Sequence, residues 1–414
     1  MQFVGDHLRP RTLMVQEEKK TSLQNKKLVW VSYLFLDLFL HKTSRIEILE
    51  HLASRGYTVY LIAVQSRRKF ELRESKVHII SIPLRYVPIF SPLLFVGILL
   101  FLLPYYIISL NPDFIVIEPG ISVLGLVWAP IVSFFRRIKV VLDIRSTPVE
   151  TIGVHGRLET FFFKVSVFSA KLFFDGITTI TVLMKKEICE KFDIDPEFVG
   201  VWTSGVSQEL FNPMKYVEET TSLKRGLGLD GKFIVFYHGN FGVKRGILQC
   251  VKSVSIVGNK CNDLVLFLLG SGPTLNEIKK AILTDCIQDK VFIHNPVNYK
   301  EVPRYISMCD VGIVPLPNLA DWRHQCPLKL LELLSMEKAV ILTDIPAHRE
   351  VIGNSKCGIY ISSADPLEIA EAIAYAYKNR NDLRDLGRYG KEIINRRYTW
   401  NKVAEDFDNY LSAL

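Results

Sequence analysis

Short apolar runs separated by stretches of helical spacing dominate the chain. Leu28–Tyr33, Tyr57–Val64, Val77–Ile82, Phe114–Ile117, Val140–Asp143, Ile177–Ile180 and Val199–Thr203 read as buried strands. Between the first two, Thr43 and Ser44 can cap a helix whose apolar face is Ile48, Leu49, Leu52 and Ala53, closed by Gly56. A second series opens with the strand Lys232–Gly239 and continues through Leu264–Leu269, Val291–Asn298, Val311–Pro315 and Ala339–Leu342. Strands alternating with helices predict doubly wound parallel sheets, an α/β fold. Two domains are expected: 28–205, joined by a C-terminal helix over 398–414, and 206–397, with 1–27 as a flexible tail.

One stretch breaks the alternation. From Tyr86 to Pro112 there is no charged residue, and Phe90–Leu110 is long and apolar enough to cross a bilayer. It lies between strands that should share one sheet, however, and Pro92 and Pro104 interrupt it. The reading adopted is a bent helix or helical hairpin, partly buried and partly dipped into one leaflet; a core helix and a true span are the alternatives. Phe161–Phe174 interleaves aromatics with Lys164 and Lys171, and Phe134–Lys139 is similar in character. Such mixtures suit an anionic lipid surface, though an ordinary amphipathic helix accounts equally for the aromatics.

Composition narrows the class. The 414 residues are 49% apolar, which excludes disorder and supports sizeable cores. A net charge of +8 points to an anionic partner, yet there is no long basic run, zinc spacing or RNA-binding aromatic signature, so nucleic acid is not expected. Seven scattered cysteines without a Cys-x-x-Cys pair suit a reduced, cytoplasmic protein. Met1–Lys27 is polar and charged, unlike a secretory signal.

Candidate chemistry concentrates in Cys326–Asp344. Pro327 is placed to open a helix, Leu328, Leu331 and Leu334 make an apolar face, and Lys329 and Glu332 share another. A cation one turn into a helix mouth suits a diphosphate, and the carboxylate beyond it suits sugar hydroxyls. An exposed Lys–Glu pair, worth a few tenths of a kcal/mol, is the competing reading. Upstream, Gly239-Asn240 and Arg245-Gly246 bracket a turn that lets backbone approach a ligand beside a cation. Gly270 and Gly272 form a second such turn. Glu118, Asp143 and Arg145 stand at C-terminal strand ends, the edge where open parallel sheets bind ligands; a structural carboxylate–arginine pairing explains them as well.

Pro-x-Lys-x-x-Glu followed by a strand, then Asp344-Ile-Pro346 and Glu350-Val-Ile352, resembles the donor-binding segment of GT-B glycosyltransferases, specifically glycosyltransferase family 4. The resemblance runs from about Val235 to the end of the chain and is architectural before that. Ser204–Phe211 is similar to the family's interdomain segment, with Ser207 in place of the usual aspartate. The first of the family's two glutamates would fall where His324 stands, and its arginine after the first glycine where Asn240 stands. The resemblance implies two Rossmann-like domains facing a cleft. It also implies a nucleotide-diphospho-sugar donor, transfer with retention, and a C-terminal helix (Trp400–Leu414) crossing back to the first domain. Arg245 and Lys329 would stabilise the leaving diphosphate without a metal, and Glu332 would hold the ribose. Gly239, Asn240, Gly246, Gly270, Gly272, Val297 and Pro327 would line the donor, with the loop Leu316–Gln325 covering it. Asp143, Arg145 and Glu118 would face the acceptor side. No cofactor is implied, and Asp193-Ile-Asp195 reads as a surface turn rather than a metal loop. With the hydrophobic stretch, the expectation is a peripheral enzyme on the inner face of the cell membrane, acting on a lipid-linked or glycan acceptor of the envelope. A catalytically silent membrane-associated subunit of the same fold is the main alternative. A nucleotide-sugar 2-epimerase and, least favoured, a dinucleotide oxidoreductase follow; the latter lacks Gly-x-Gly-x-x-Gly after the first strand.

Overall fold

The computed structural model describes residues 26–35, 42–65, 75–87, 90–126, 137–148 and 153–414. The tail assigned to 1–27 lies almost wholly outside these residues, as does the first half of Phe134–Lys139.

Thirteen strands form two sheets among the described residues. The first holds β1 (Lys27–Phe35), β2 (Thr58–Gln65), β3 (His78–Pro83), β4 (Phe114–Ile117), β5 (Lys139–Ile144), β6 (Gly176–Thr179) and β7 (Val199–Val201), in the order β3-β2-β1-β4-β5-β6-β7. The second holds β8 (Phe233–Asn240), β9 (Leu264–Ser271), β10 (Val291–His294), β11 (Val311–Val314), β12 (Ala339–Thr343) and β13 (Gly358–Ile361), in the order β10-β9-β8-β11-β12-β13. Neighbours run parallel from β3 to β5 and throughout the second sheet. Helices covering both faces explain why these strands are nearly continuous runs of Val, Ile, Leu and Phe. Along β8, Ile234 and Phe236 enter one core cluster while Phe233, Val235 and Tyr237 enter another, the two-residue period of a sheet buried on both sides.

The chain divides into two compact units, one of Met1–Ile144, Arg157–Ile177 and Asp408–Leu414, the other of Arg145–Gly156 and Thr178–Phe407. In the first, the Asp408 carboxylate accepts hydrogen bonds from the Tyr57 hydroxyl (2.7 Å) and Arg55 Nε (2.9 Å), tying the C-terminal residues to the start of β2.

Phe90–Leu110 is one continuous helix with Pro104 inside it, not a hairpin. Ser91, Phe95, Leu99, Leu103 and Ile107, spaced by four, form its buried face. The Tyr33 hydroxyl bonds Ser91 Oγ (2.8 Å), and Leu99 packs against Gly125. Phe90, Leu93, Leu94, Phe101, Tyr105 and Ile108 make the opposite face, with Phe101 82% exposed. The helix is therefore apolar all round but buried on one side only. The strands flanking it, β3 and β4, belong to the same sheet.

Candidate functional site

The helix Leu328–Ser335 carries the centre of the site. Pro327 is its cap rather than its first residue: a ψ of 93° leaves it extended. Leu330, Leu331, Leu333 and Leu334 are fully buried, which fixes the helix against β11 and β12. That packing carries Lys329 and Glu332 inward with it. Glu332 is 4% exposed, so the exposed-pair reading of these two residues does not hold.

Lys329 Nζ donates to the Tyr237 hydroxyl at 2.7 Å and lies 3.9 Å from that ring's centroid. The Tyr237 hydroxyl in turn donates to the Asn240 carbonyl at 3.0 Å. Burial, with Arg245 nearby, pulls the Lys329 ammonium well below the usual lysine range, despite the opposing pull of Glu332. Burial pushes Glu332 up to about 7, against a hydrogen bond from Tyr299 and the charge of Lys329. His238, at the end of β8, places Nε2 3.3 Å from a Glu332 carboxylate oxygen, in a geometry that makes no hydrogen bond. Burial and Lys329 hold this imidazole down at about 3, hence neutral. The Lys329 ammonium and the Glu332 carboxylate are thus held where burial makes each charge costly. A well-packed apolar pair would serve the fold better.

The turn after β8 is shaped around Lys329. Gly239 (φ +114°) would bring a Cβ within 3.5 Å of Lys329 Nζ. Arg245 closes the short 3-10 turn Val243–Arg245, its side chain folded over Gly242. Gly246 (φ +73°) starts the helix Ile247–Val257; a Cβ there would sit 2.1 Å from the Pro315 carbonyl oxygen. Gly270 (φ +151°) and Gly272 set the second turn directly on the first, because side chains there would meet the Gly239 carbonyl and the Phe241 backbone at 2.0 and 2.6 Å. Val297 is half-buried against the cluster that contains Leu330 and Leu331.

Other candidate residues fall elsewhere. In the first unit, Glu118 follows β4 and accepts from Arg45 Nε and from Trp30 Nε1 (3.3 Å). Arg45 also feels the charge of the fully buried Asp143, at the end of β5. In the second unit, the Arg145 guanidinium donates to the Trp202 carbonyl (2.7 Å) and Ser204 Oγ (3.2 Å) and lies 3.5 Å over the Trp202 ring. His324 Nδ1 is 2.8 Å from a Glu187 carboxylate oxygen, and its carbonyl accepts from Thr181 Oγ1 (2.8 Å). Asp193 is a left-handed helix cap, and Asp195 accepts from the Glu197 N–H (2.9 Å), so both belong to turns. Sequence reasoning did not single out Arg45, Tyr237, His238 or Trp322. A lone histidine ending an apolar strand just before Gly239 was the available signal for His238.

Two doubly wound parallel sheets, a glycine turn after β8 and a Pro-x-Lys-x-x-Glu helix before β12 set the chain beside proteins of known kind. Residues 219–393 match the family model for glycosyl transferases group 1. The match covers β8 through β13 and holds Arg245, Lys329 and Glu332. Among curated relatives, the Streptomyces kanamyceticus alpha-D-kanosaminyltransferase is 21% identical over 36% of this chain and 38% of its own length. The chain spans about half the length of the curated relatives it matches. A glycosyltransferase from Rickettsia africae superposes with a TM-score of 0.72 at 15% identity, covering 94% of this chain and 98% of that one. Anabaena HepE, solved with UDP and glucose, gives 0.71 at 13%, covering 94% and 100%. The fold is that of GT-B glycosyltransferase structures.

Proposed function

We propose that the group 1 segment binds a nucleotide-diphospho-sugar and that the chain transfers its sugar, with retention at the anomeric carbon, to a glycan or lipid-linked acceptor, as the resemblance to glycosyltransferase family 4 implies. The observation that carries the reading is the half-buried Lys329 set with the buried Glu332 and His238 beside the Gly239–Gly246 turn. A cation and a carboxylate held where burial makes each charge costly are what a donor site requires. Sugar transfer leaves negative charge on the departing diphosphate. Lys329 and Arg245 would meet it, and the lost water around Lys329 strengthens that interaction. A bound diphosphate would also pull the Lys329 ammonium back up toward the usual lysine range. Glu332 would accept from ribose hydroxyls, and Gly239 leaves room for the phosphates. On the acceptor side, Glu118 and Asp143, organised by Arg45, are the groups available in the first unit. No step in this scheme calls for a metal.

The HepE complex supports a uridine nucleotide as the first donor to try. A calorimetric panel of UDP-, GDP- and ADP-sugars against wild type and Glu332→Ala tests the reading. One donor bound, and bound at least tenfold more weakly by the variant, is the expected result. A folded protein that binds none would refute transfer and favour a catalytically silent subunit. That second reading draws on His324, which pairs with Glu187 where the family has a glutamate.

We further place the protein on the cytoplasmic face of an anionic membrane. The bare face of Phe90–Leu110 and the exposed stripe Leu158, Phe161, Phe168 and Leu172, interleaved with Arg157, Lys164 and Lys171, support this. Right-handed crossovers put the helices after β3 and after β5 on one side of the first sheet. Co-sedimentation with vesicles that contain phosphatidylglycerol, lost in a Phe101→Asp, Phe161→Asp double variant, is expected. Equal recovery of both proteins would refute it.

A further inference from the structure

Trp322 has no part in the chemistry above, yet its ring lies against Arg245, one of the two cations assigned to the diphosphate. Arginine side chains carry about 2 kcal/mol of rotamer entropy, so an arginine on a glycine-bounded turn needs something to hold it. The Trp322 ring centroid is 4.7 Å from Arg245 Cζ, and Trp322 Nε1 donates to the carbonyl of Lys244, the preceding residue, at 2.7 Å. The ring therefore faces the guanidinium while its N–H grips the backbone that carries it. Trp322 is only 8% exposed although it sits in the connection between β11 and Leu328–Ser335, on the short turn Ala320–Arg323. That connection is pinned at both ends, where Thr343 Oγ1 donates to the Leu316 carbonyl (2.5 Å) and Thr181 Oγ1 to the His324 carbonyl. At its root, Pro315 touches Gly246 backbone to backbone.

We propose that Trp322 is a positioning residue: it fixes the Arg245 guanidinium for the nucleotide diphosphate, so that the 315–325 connection and the glycine turn work as one piece. This rests on the donor reading, and its test separates the two. The probe is whichever of UDP, GDP or ADP the wild type binds by calorimetry. Trp322→Leu removes both ring and N–H; Trp322→Phe keeps a ring face. A cation–π contact and a hydrogen bond together predict about a tenfold loss of affinity in Trp322→Leu and about threefold in Trp322→Phe. In an Arg245→Ala background the same substitutions should cost less than twofold, because the group they position is gone.

Equal losses in both backgrounds, or no loss in either, would overturn the proposal and make Trp322 a packing residue. If Trp322→Leu does not fold, the Phe variant decides through the same cycle. Failure of the donor reading looks different: Arg245→Ala alone would leave binding unchanged, or no nucleotide would bind wild type.

Discussion

Replacing Glu332 by Gln should make the protein more stable at pH 8 and a worse donor binder. The carboxyl is buried and pushed up to about 7, from an ordinary value of 4.5. That displacement corresponds to about 3 kcal/mol against the ionised form. The opposing pull of Lys329 is already contained in that value; because part of the change is complete by pH 5, about 1–3 kcal/mol is the working figure between pH 5 and pH 8. The sign follows from linkage. A carboxyl whose folded value is raised costs nothing below its unfolded value, and the cost is complete once the pH passes the folded value. Wild type should thus lose stability relative to Glu332→Gln as pH climbs from about 4.5 to about 7. Urea denaturation of both proteins at pH 5 and pH 8 measures it, since the change in their difference cancels what they share. A gain for the variant of about 1–3 kcal/mol between the two pH values is expected, with donor affinity down at least tenfold. A difference that stays constant across pH would show that Glu332 is not held against its ionisation, and the argument from burial would fall.

Gly246→Ala should cost about 2–4 kcal/mol in thermal denaturation and abolish nucleotide binding, because its Cβ would strike the Pro315 carbonyl. Gly228→Ala, also left-handed (φ +68°) but with open space around it, should cost only about 1 kcal/mol. Lys329→Met should lower nucleoside diphosphate affinity more than tenfold by calorimetry while the protein still unfolds cooperatively at pH 7. Asp408→Ala should destabilise by about 2–4 kcal/mol in chemical denaturation, since it strands the buried Tyr57 hydroxyl and frees Arg55.

The strands other than Gly358–Ile361 were legible because buried parallel strands advertise themselves as apolar runs, and Leu328, Leu331 and Leu334 gave the helix that holds Lys329 and Glu332. Side-chain burial was not. Spacing puts Lys329 and Glu332 on one face, but only the packing of Leu330 and Leu333 decides that this face turns inward. Phe90–Leu110 failed in the same way. Its composition is apolar on every side, so no periodicity marked the Ser91–Ile107 face as the buried one, and two prolines suggested a break that the helix does not make. Arg145 illustrates a different gap. Nothing near Arg145 in the sequence announces that it stacks on Trp202, 57 residues away, and donates to that residue's carbonyl. Contacts across such separations leave no local trace.

The Asp408 tie has a consequence for synthesis. The first unit needs Asp408 for Tyr57 and Tyr410 against Gly176, yet the ribosome makes those residues after all of the second unit. At about 5–20 residues per second, the segment up to Ile177 waits for roughly 10–50 seconds before its last contacts emerge. Through that interval the apolar face of Phe90–Leu110 belongs to an unfinished domain. The earlier-made half of the chain is therefore the later to be completed, and the half that must be kept from aggregating.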